Sequence, residues 1–345
     1  MKRILVTGGA GYIGSHVCLE LQRTGYEVVA LDNLTNSSPV SLQRVALLSN
    51  KPVELVVGDV RDASCLDRIF MDHHIDGVIH LAGLKAVGES VEKPSAYFDC
   101  NVYGTMMLVQ AMERAGCQAL LFSSTATVYG EPDMVPVTED APLRTTNPYA
   151  ATKLAVEEML MSYRQTNANW RFLSLRYFNP VGAHDSGMIG EDPNGIPNNL
   201  FPFIAQVAVG RRPHLNVFGS DYDTPDGTGV RDYVHILDLA EAHVRALGFL
   251  LEQRDSTSVP RALNIGTGVG YSVLECLAGW NTAVSRTLPY KLADRRPGDV
   301  AACYAKTNLA RDVLGWTASR TLEQMCVDHW RWQEMNPTGY EELCN

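Results

Sequence analysis

Short apolar runs alternate with helix-forming stretches through the first half of the chain. The runs read RILVTGG (3–9), EVVALDN (27–33), VELVVGDV (53–60), GVIHLAG (77–83), ALLFSST (119–125) and RFLSLRYF (171–178). Each is short and nearly continuous in apolar residues, which predicts strands buried on both faces. Between them, residues 14–24, 66–72, 97–115 and 148–165 read as helices. Alternation of this kind predicts an α/β fold, a doubly wound parallel sheet with helices on both faces. Beyond about residue 180 the pattern gives way to Gly-, Pro- and Asn-rich loops (182–200 and 219–229) between helices. One further run, ALNIG (262–266), is a strand that can return to the sheet. The expected organisation is a nucleotide-type domain over 1–180, rejoined by 262–266, and a smaller mixed α/β C-terminal domain over 181–345.

Composition narrows the partners rather than the fold. At 345 residues, 46% hydrophobic and 20% charged, the chain has room for one large or two linked globular domains. Its formal net charge of −10 argues against nucleic acid and against an anionic membrane, both of which call for a basic face. No apolar run approaches the ~20 residues of a membrane span, and Ile4-Leu5-Val6 is too short for a signal-peptide core. Eight cysteines (18, 65, 100, 117, 276, 303, 326 and 344) are scattered without a CxxC pair, which predicts reduced thiols in a cytoplasmic protein. Metal-ligand spacing is absent, and His73-His74 beside Asp72 and Asp76 reads as a polar loop, so no metal is expected.

The sequence VTGGAGYIGSH follows the first strand and opens a helix, with Gly8, Gly11 and Gly14 three apart. Glycine allows the tight turn, the approach of backbone to a pyrophosphate and the packing of helix on strand; the helix N-terminus supplies amide donors and a positive dipole. Alone this spacing is a weak signal. It gains from Asp32, eighteen residues past Gly14, where a carboxylate can hold a ribose hydroxyl and repel a 2′-phosphate. Asp59, at the end of the third strand, falls near the expected adenine. The first domain is therefore expected to be a Rossmann-type NAD-binding domain.

Hydroxyls crowd the end of the fifth strand, at Ser123, Ser124, Thr125, Thr127 and Tyr129. About 25 residues on, NPYAATKLAVEEML opens a helix at Pro148, a residue suited to a first turn. Tyr149 and Lys153 lie four apart and share a face of that helix. Such a pair is common; its succession after a glycine loop and a hydroxyl-ended strand is not. A phenol beside a lysine ammonium and a cationic nicotinamide is expected to ionise more readily than usual, giving a general base for a sugar or alcohol hydroxyl. Thr125 is expected to bond the same oxygen and Ser124 to border the cofactor, with Ser123, Thr127 and Tyr129 as turn chemistry.

The segments TGGAGYIGSH, HLAGLKAVGES, FSSTATVYG, NPYAATK, LRYFNPVGAH, DGTGVRDYVHILDLA and RRPGDVAACYA run in order across nearly the whole chain. In them the chain resembles the extended short-chain dehydrogenase/reductase family, and within it the nucleotide-sugar 4-epimerases. The resemblance implies NAD held as a resident cofactor and reversible 4-epimerisation of UDP-glucose and UDP-galactose through a 4-keto sugar. It gives Tyr149 the proton of the 4′-hydroxyl, Lys153 the cofactor ribose, and Thr125 an assisting hydrogen bond. Implied cofactor contacts are Gly8, Gly11, Tyr12, Ile13 and Gly14, the run Asp32, Asn33, Leu34, Thr35, Asn36 and Ser37, and Asp59 with Val60 at the adenine. Leu81, Ala82, Gly83 and Lys85 follow the fourth strand, and Tyr177 closes the nicotinamide side. For the UDP-hexose the matching positions are Asn179, Asn199, Leu200, Asn216, Phe218, Arg231, Tyr233, Arg296, Asp299 and Cys303, joined by Lys85, Thr125 and Tyr149. Arg231 and Arg296 can neutralise a diphosphate in an otherwise acidic chain. A homodimer paired through helices in 97–115 and 150–163 is also implied.

Departures from the family pattern are informative. Thr125 stands where Ser is frequent, Leu81 where Phe is frequent, and Cys100 where some members carry an Asn facing the cofactor; none removes the chemistry. Cys303 stands where narrow-specificity members carry a tyrosine, and the smaller side chain implies acceptance of UDP-GlcNAc and UDP-GalNAc. A nucleotide-sugar 4,6-dehydratase, the nearest rival, would carry Asp-Glu directly after Thr125, where this chain has Ala126 and Thr127. UDP-pentose and UDP-uronate epimerases remain alternatives. A non-catalytic NAD-sensing protein would be expected to have lost the Tyr/Lys pair.

Overall fold

The computed structural model describes residues 1–296 and 298–340. β1 (Arg3–Thr7), β2 (Glu27–Asp32), β3 (Glu54–Val57), β4 (Gly77–His80), β5 (Ala119–Thr125) and β6 (Arg171–Tyr177) are joined through α1 (Tyr12–Arg23), α2 (Pro39–Ser49), α3 (Ala63–Asp72), α4 (Val87–Glu92), α5 (Pro94–Tyr97), α6 (Gly104–Ala115) and α7 (Pro148–Thr166). There follow β7 (Asn179–Val181), α8 (Leu200–Ala208), β8 (Leu215–Phe218), β9 (Val230–His235), α9 (Ile236–Glu252), β10 (Ala262–Ile265) and β11 (Gly270–Ser272). Last come α10 (Val273–Ala283), β12 (Tyr290–Ala293), β13 (Ala302–Cys303), α11 (Asn308–Leu314) and α12 (Leu322–Met335).

The principal sheet is ordered β10-β6-β5-β4-β1-β2-β3, so ALNIG does return to it. Every pair from β3 through β6 is parallel, as near-continuous apolar strands require. Strand order reverses between β1 and β4, and the loops leaving their C-terminal ends diverge there, which is where such sheets hold ligands. Local chemistry sets the helix starts. Asp62 accepts from the N–H groups of Ser64 and Cys65 ahead of α3, and Asn147 from that of Ala150 ahead of α7, with Pro148 in the first turn. The stretch expected as one helix over 97–115 is interrupted. Phe98–Tyr103 is a π-turn that closes with Gly104 N–H donating to Asp99 O, five residues back. π-turns are frequent at functional sites.

Contacts divide the chain into two interleaved units rather than at one cut after residue 180. The first comprises Met1–Gly130, Leu143–Tyr177 and Ala240–Leu263; the second comprises Glu131–Pro142, Phe178–Leu239 and the chain from Asn264 onward. Segment 131–142 joins the second unit through Val137, whose N–H donates to Tyr304 O (2.8 Å) and whose carbonyl accepts from Lys306 N–H (2.7 Å) and Asn264 Nδ2 (2.9 Å). The first unit's core gathers Leu5, Val29, Val78, Leu120, Val156 and Phe172. The second gathers Phe201, Tyr233, Leu277, Trp280 and Met325. Its strands β11-β9-β13, with β7 also on β9, and the pair β12-β8 occupy stretches where the sequence pattern showed only loops and helices.

His329 in that second core predicts an acid limb in stability. It is fully buried between Phe201 and Trp280, with ring centroids 5.8 and 5.4 Å away. Burial, reinforced by His235, pushes its pKa down to about 3. The unfolded chain therefore binds the extra proton between about pH 6.5 and 3, and stability falls as pH drops through that window, by up to about 1.4 kcal/mol per pH unit. His329→Leu should flatten the fall of melting temperature between pH 6.5 and 4.5; an unchanged slope would refute the assignment.

Among the described residues no helix is long and apolar enough to cross a membrane. Among them too, no three His, Cys, Asp or Glu side chains converge as a metal would require. The seven described cysteines are free thiols, and Cys344 lies outside the described residues.

Candidate active site

The glycine loop sits at the point where the strand order reverses. Gly8 has φ +70°, and a Cβ there would lie 2.8 Å from Ala82 N, in the loop after β4. A Cβ at Gly14 would lie 2.1 Å from Gly8 O, so the first turn of α1 packs directly on the loop. Gly11 caps α1 with no side chain across the helix end, and Tyr12 and Ile13 begin the helix. Asp32 braces both neighbouring loops: its carboxylate accepts from Ala10 N (3.0 Å), Leu34 N (2.9 Å) and Ser37 Oγ (2.8 Å). Leu34 holds φ +59°, a conformation side chains rarely adopt, within the run 32–37. Asn33 Nδ2 donates to Asp59 (2.9 Å) and Asn33 Oδ1 accepts from Thr35 N (3.1 Å), so Asn36 lies in a loop fastened on both sides. Arg61, bidentate on Asp59, holds that carboxyl well below its usual range, and also pairs with Asp99 at 2.6 Å. Val60 is core. Leu81 and Ala82 are half-buried, and Gly83 and Lys85 exposed.

This cradle fits a dinucleotide. Gly8 and Gly14 let backbone pack on backbone where any side chain would clash, the helix end points amides at the loop, and the acid at the end of β2 is placed for a ribose.

The strand-end hydroxyls divide by strand alternation, not as the sequence suggested. Ser123 and Thr125 share one face of β5; Ser124 points to the other. Lys153 Nζ donates to Ser123 O (2.8 Å) and Ser123 Oγ (3.3 Å) and lies 4.9 Å above the Phe122 ring. Ser124, expected at the cofactor, instead donates to Glu157 at 2.5 Å within a buried ion pair. Tyr129 is buried too, its hydroxyl accepting from Arg176 (2.9 Å), so neither it nor Ser123 is turn chemistry. Thr125 caps the short 3-10 helix Ala126–Tyr129, accepting from Thr127 N, and its hydroxyl lies near enough to the Tyr149 phenol to lower that phenol's pKa.

In the chain alone, burial pushes the Tyr149 phenol up, offset in part by Thr125; the depressed value expected from the sequence also involves a cationic nicotinamide. Lys153 is fastened to Ser123, its ammonium lowered by burial to about 8. Any further pull on the phenol must come from the bound cofactor. Tyr177 is buried, its hydroxyl hydrogen-bonded to His243 Nε2 and pushed up by burial.

Sequence reasoning missed Asn101. It lies in the π-turn, 3% exposed, with Oδ1 accepting from Leu84 N (2.8 Å) and Nδ2 donating to Leu84 O and Thr152 Oγ1 (both 3.0 Å). Cys100, the residue singled out beside it, has its thiol pushed up by burial.

The second unit assembles most of the expected UDP-sugar positions on short strands. Arg231 on β9 lies 3.8 Å from Asp299, which also accepts from Arg296 Nε (3.0 Å), and the Arg296 guanidinium stacks 4.9 Å over the Phe218 ring. Asn216 and Phe218 share β8, and Asn179 pairs in register with Tyr233. Asn199 precedes α8 without capping it, donating to Glu191 (3.3 Å), and Leu200 packs on the unit's core. Tyr233, two residues along β9 from Arg231 and on the same face of the strand, is 4% exposed, with its ring against Phe201. Cys303 pairs in register with Arg231 and is 9% exposed, its thiol pushed up by burial to about 11.

A dinucleotide cradle and a tyrosine–lysine helix ordered on one parallel sheet equip an enzyme to oxidise and reduce a bound alcohol carbon. The chain belongs to the NAD-dependent epimerase/dehydratase family, whose model matches residues 4–266. It is 54% identical over 338 residues to the UDP-glucose 4-epimerase of Bacillus subtilis, covering 98% of each chain. To the human UDP-glucose 4-epimerase it is 51% identical over 346 residues, again covering 98% of each. Its fold matches the crystal structure of the Bifidobacterium longum UDP-glucose 4-epimerase in complex with NAD⁺ and UDP, with TM-score 0.94 and 48% identity, covering 98% of this chain and 100% of that one.

Proposed function

We propose that the chain interconverts UDP-glucose and UDP-galactose by 4-epimerisation with NAD as a resident cofactor. The observation that carries this is the Thr125 hydroxyl placed close enough to the Tyr149 phenol to favour its ionised form, with Lys153 one turn along the same helix. NAD held in the cradle would supply the hydride acceptor and donor for the sugar carbon. Tyr149 takes the proton of the 4′-hydroxyl and returns it after the sugar has turned over. Thr125 holds the same oxygen, and Lys153, fixed by Ser123, presents its remaining proton to the cofactor ribose. Arg231 and Arg296 take the diphosphate, with Phe218 beside the base. No acid follows Thr125, which leaves a dehydratase without the group that would move the C5 proton.

The test is incubation with UDP-galactose and no added NAD. Appearance of UDP-glucose without net NADH is the expected result; no conversion, or accumulation of a stable 4-keto product, would overturn the proposal.

The small Cys303 supports acceptance of N-acetylated UDP-hexoses as well. Cys303→Tyr should reduce the UDP-GalNAc rate at least about tenfold more than the UDP-galactose rate, the scale set by filling a pocket with bulk. Equal loss of both activities would remove Cys303 as the determinant. The proposed setting is cytoplasmic, in keeping with free thiols. The proposed state is a homodimer: Leu108, Val109 and Met112 of α6 pack in their own core, while Phe98 and Tyr103 stay 44% and 42% exposed at the adjoining turn.

A further inference from the structure

Beneath the cofactor cradle, five buried side chains form a hydrogen-bonded line through the first unit. Thr7, His80, Thr105, Asn101 and Thr152 are each at most 3% exposed. His80 Nδ1 lies 2.6 Å from Thr7 Oγ1, and His80 Nε2 lies 2.8 Å from Thr105 Oγ1. Their directions follow from the ends of the line. Thr105 must spend its only proton on Asn101 O (2.5 Å), a carbonyl that can only accept. Its oxygen therefore accepts from His80, so Nε2 carries the imidazole proton. Nδ1 then accepts from Thr7, whose oxygen takes the N–H of Ala82 at 3.2 Å. Beyond Asn101 the line continues, its Nδ2 donating to Thr152, whose hydroxyl donates to Tyr149 O at 2.7 Å.

We propose that Thr7, His80 and Thr105 are a positioning relay, locked in the Nε2–H tautomer of His80, that holds the cofactor loop after β4 in register with Asn101 and the helix carrying Tyr149 and Lys153. At one end the relay fixes Ala82, against which Gly8 packs. At the other it fixes the π-turn, from which Asn101 grips both backbone groups of Leu84. The loop over 81–85 is thus held from two sides, and its position depends on one imidazole having a single donor and a single acceptor. Burial and the charge of Lys153 push the His80 pKa down to about 3, so the neutral ring persists throughout the working range. Every donor and acceptor named is satisfied, which is the condition under which buried polar networks order a site.

The inference rests on the reading that this cradle holds NAD, and the experiment separates the two. Holoprotein is purified, and release of bound NAD is followed by filtration in wild type, Thr105→Val and Thr105→Ser. Valine keeps the shape of threonine and removes the hydroxyl; serine keeps the hydroxyl and removes a methyl. The relay predicts release about ten- to a hundredfold faster with valine, the effect of leaving buried polar groups unpaired, and within about twofold of wild type with serine. A role in packing alone predicts the reverse order, and that order, or equal release from all three, would overturn the relay. His80→Leu should match Thr105→Val, and the double variant should release NAD no faster than either single one; additive effects would also overturn it. Wild-type protein that neither retains nor binds added NAD would overturn the cofactor reading as well as the relay.

Discussion

Tyr149→Phe should lower epimerase turnover by about 10²–10⁴-fold while bound NAD and melting temperature stay near wild type. Phenylalanine keeps the half-buried ring and removes only the phenol oxygen beside Thr125. What is lost is the proton acceptor, not a structural contact, because the nearby cation is fixed elsewhere. Lys153 donates to Ser123, and its attachment survives the substitution. The comparison that sharpens the test is Thr125→Val, which removes one hydrogen bond and leaves the base in place; a loss of about tenfold is expected. Because burial raises the phenol in the chain alone, the rising limb of the pH–rate curve is assigned to its ionisation. That limb should vanish from the residual activity of the phenylalanine variant. Activity within tenfold of wild type, or an unchanged rising limb, would remove Tyr149 as the base.

The contrast between Ser123 and Ser124 shows how much of this site was legible beforehand. The order of glycine loop, hydroxyl-ended strand and Tyr-x-x-x-Lys helix is visible because each motif is local, and its geometry follows from a few neighbouring residues. Which hydroxyls face the site is not local in that sense. Strand alternation alone puts Ser123 with Thr125, yet the position of Lys153 Nζ depends on how α7 lies on β5 and β6. Asn101 was hidden for a related reason. A π-turn adds a residue to the helical repeat, so a helix drawn with 3.6 residues per turn over 97–115 cannot show which side chains point inward. The strands of the second unit were invisible because they are two to six residues long and defined by partners far along the chain, as in the pairing of Cys303 with Arg231.

Glu157→Ala should destabilise the protein by about 3–5 kcal/mol, the largest effect expected of a substitution that does not touch the proposed chemistry. Glu157 lies one turn beyond Lys153 on α7, and its carboxylate meets Arg176 of β6 at 3.0 Å (Nε) and 2.7 Å (Nη2). The two side chains are 0% and 2% exposed, so removing the acid leaves a guanidinium charge in the interior without its carboxylate, beside the Tyr129 hydroxyl and ring. The same carboxylate accepts from Ser124, directly opposite Arg176 in the sheet register, so one acid joins β5, β6 and α7 below the catalytic turn. Burying an ion pair is itself unfavourable enough that its presence does not establish a stability gain; the asymmetry lies in breaking it. The discriminating comparison is therefore the double variant Glu157→Leu/Arg176→Met, which removes both charges and refills the volume. Chemical denaturation should show it recovering most of the stability lost in Glu157→Ala, while Arg176→Met alone, leaving the carboxylate with only the partly exposed Arg261 at 3.5 Å as a cationic partner among the described residues, should be destabilised by a similar or smaller amount. If Glu157→Ala shifts stability by less than about 1 kcal/mol, the range of exposed pairs, the interior at this junction is wetter than the burial of both side chains implies.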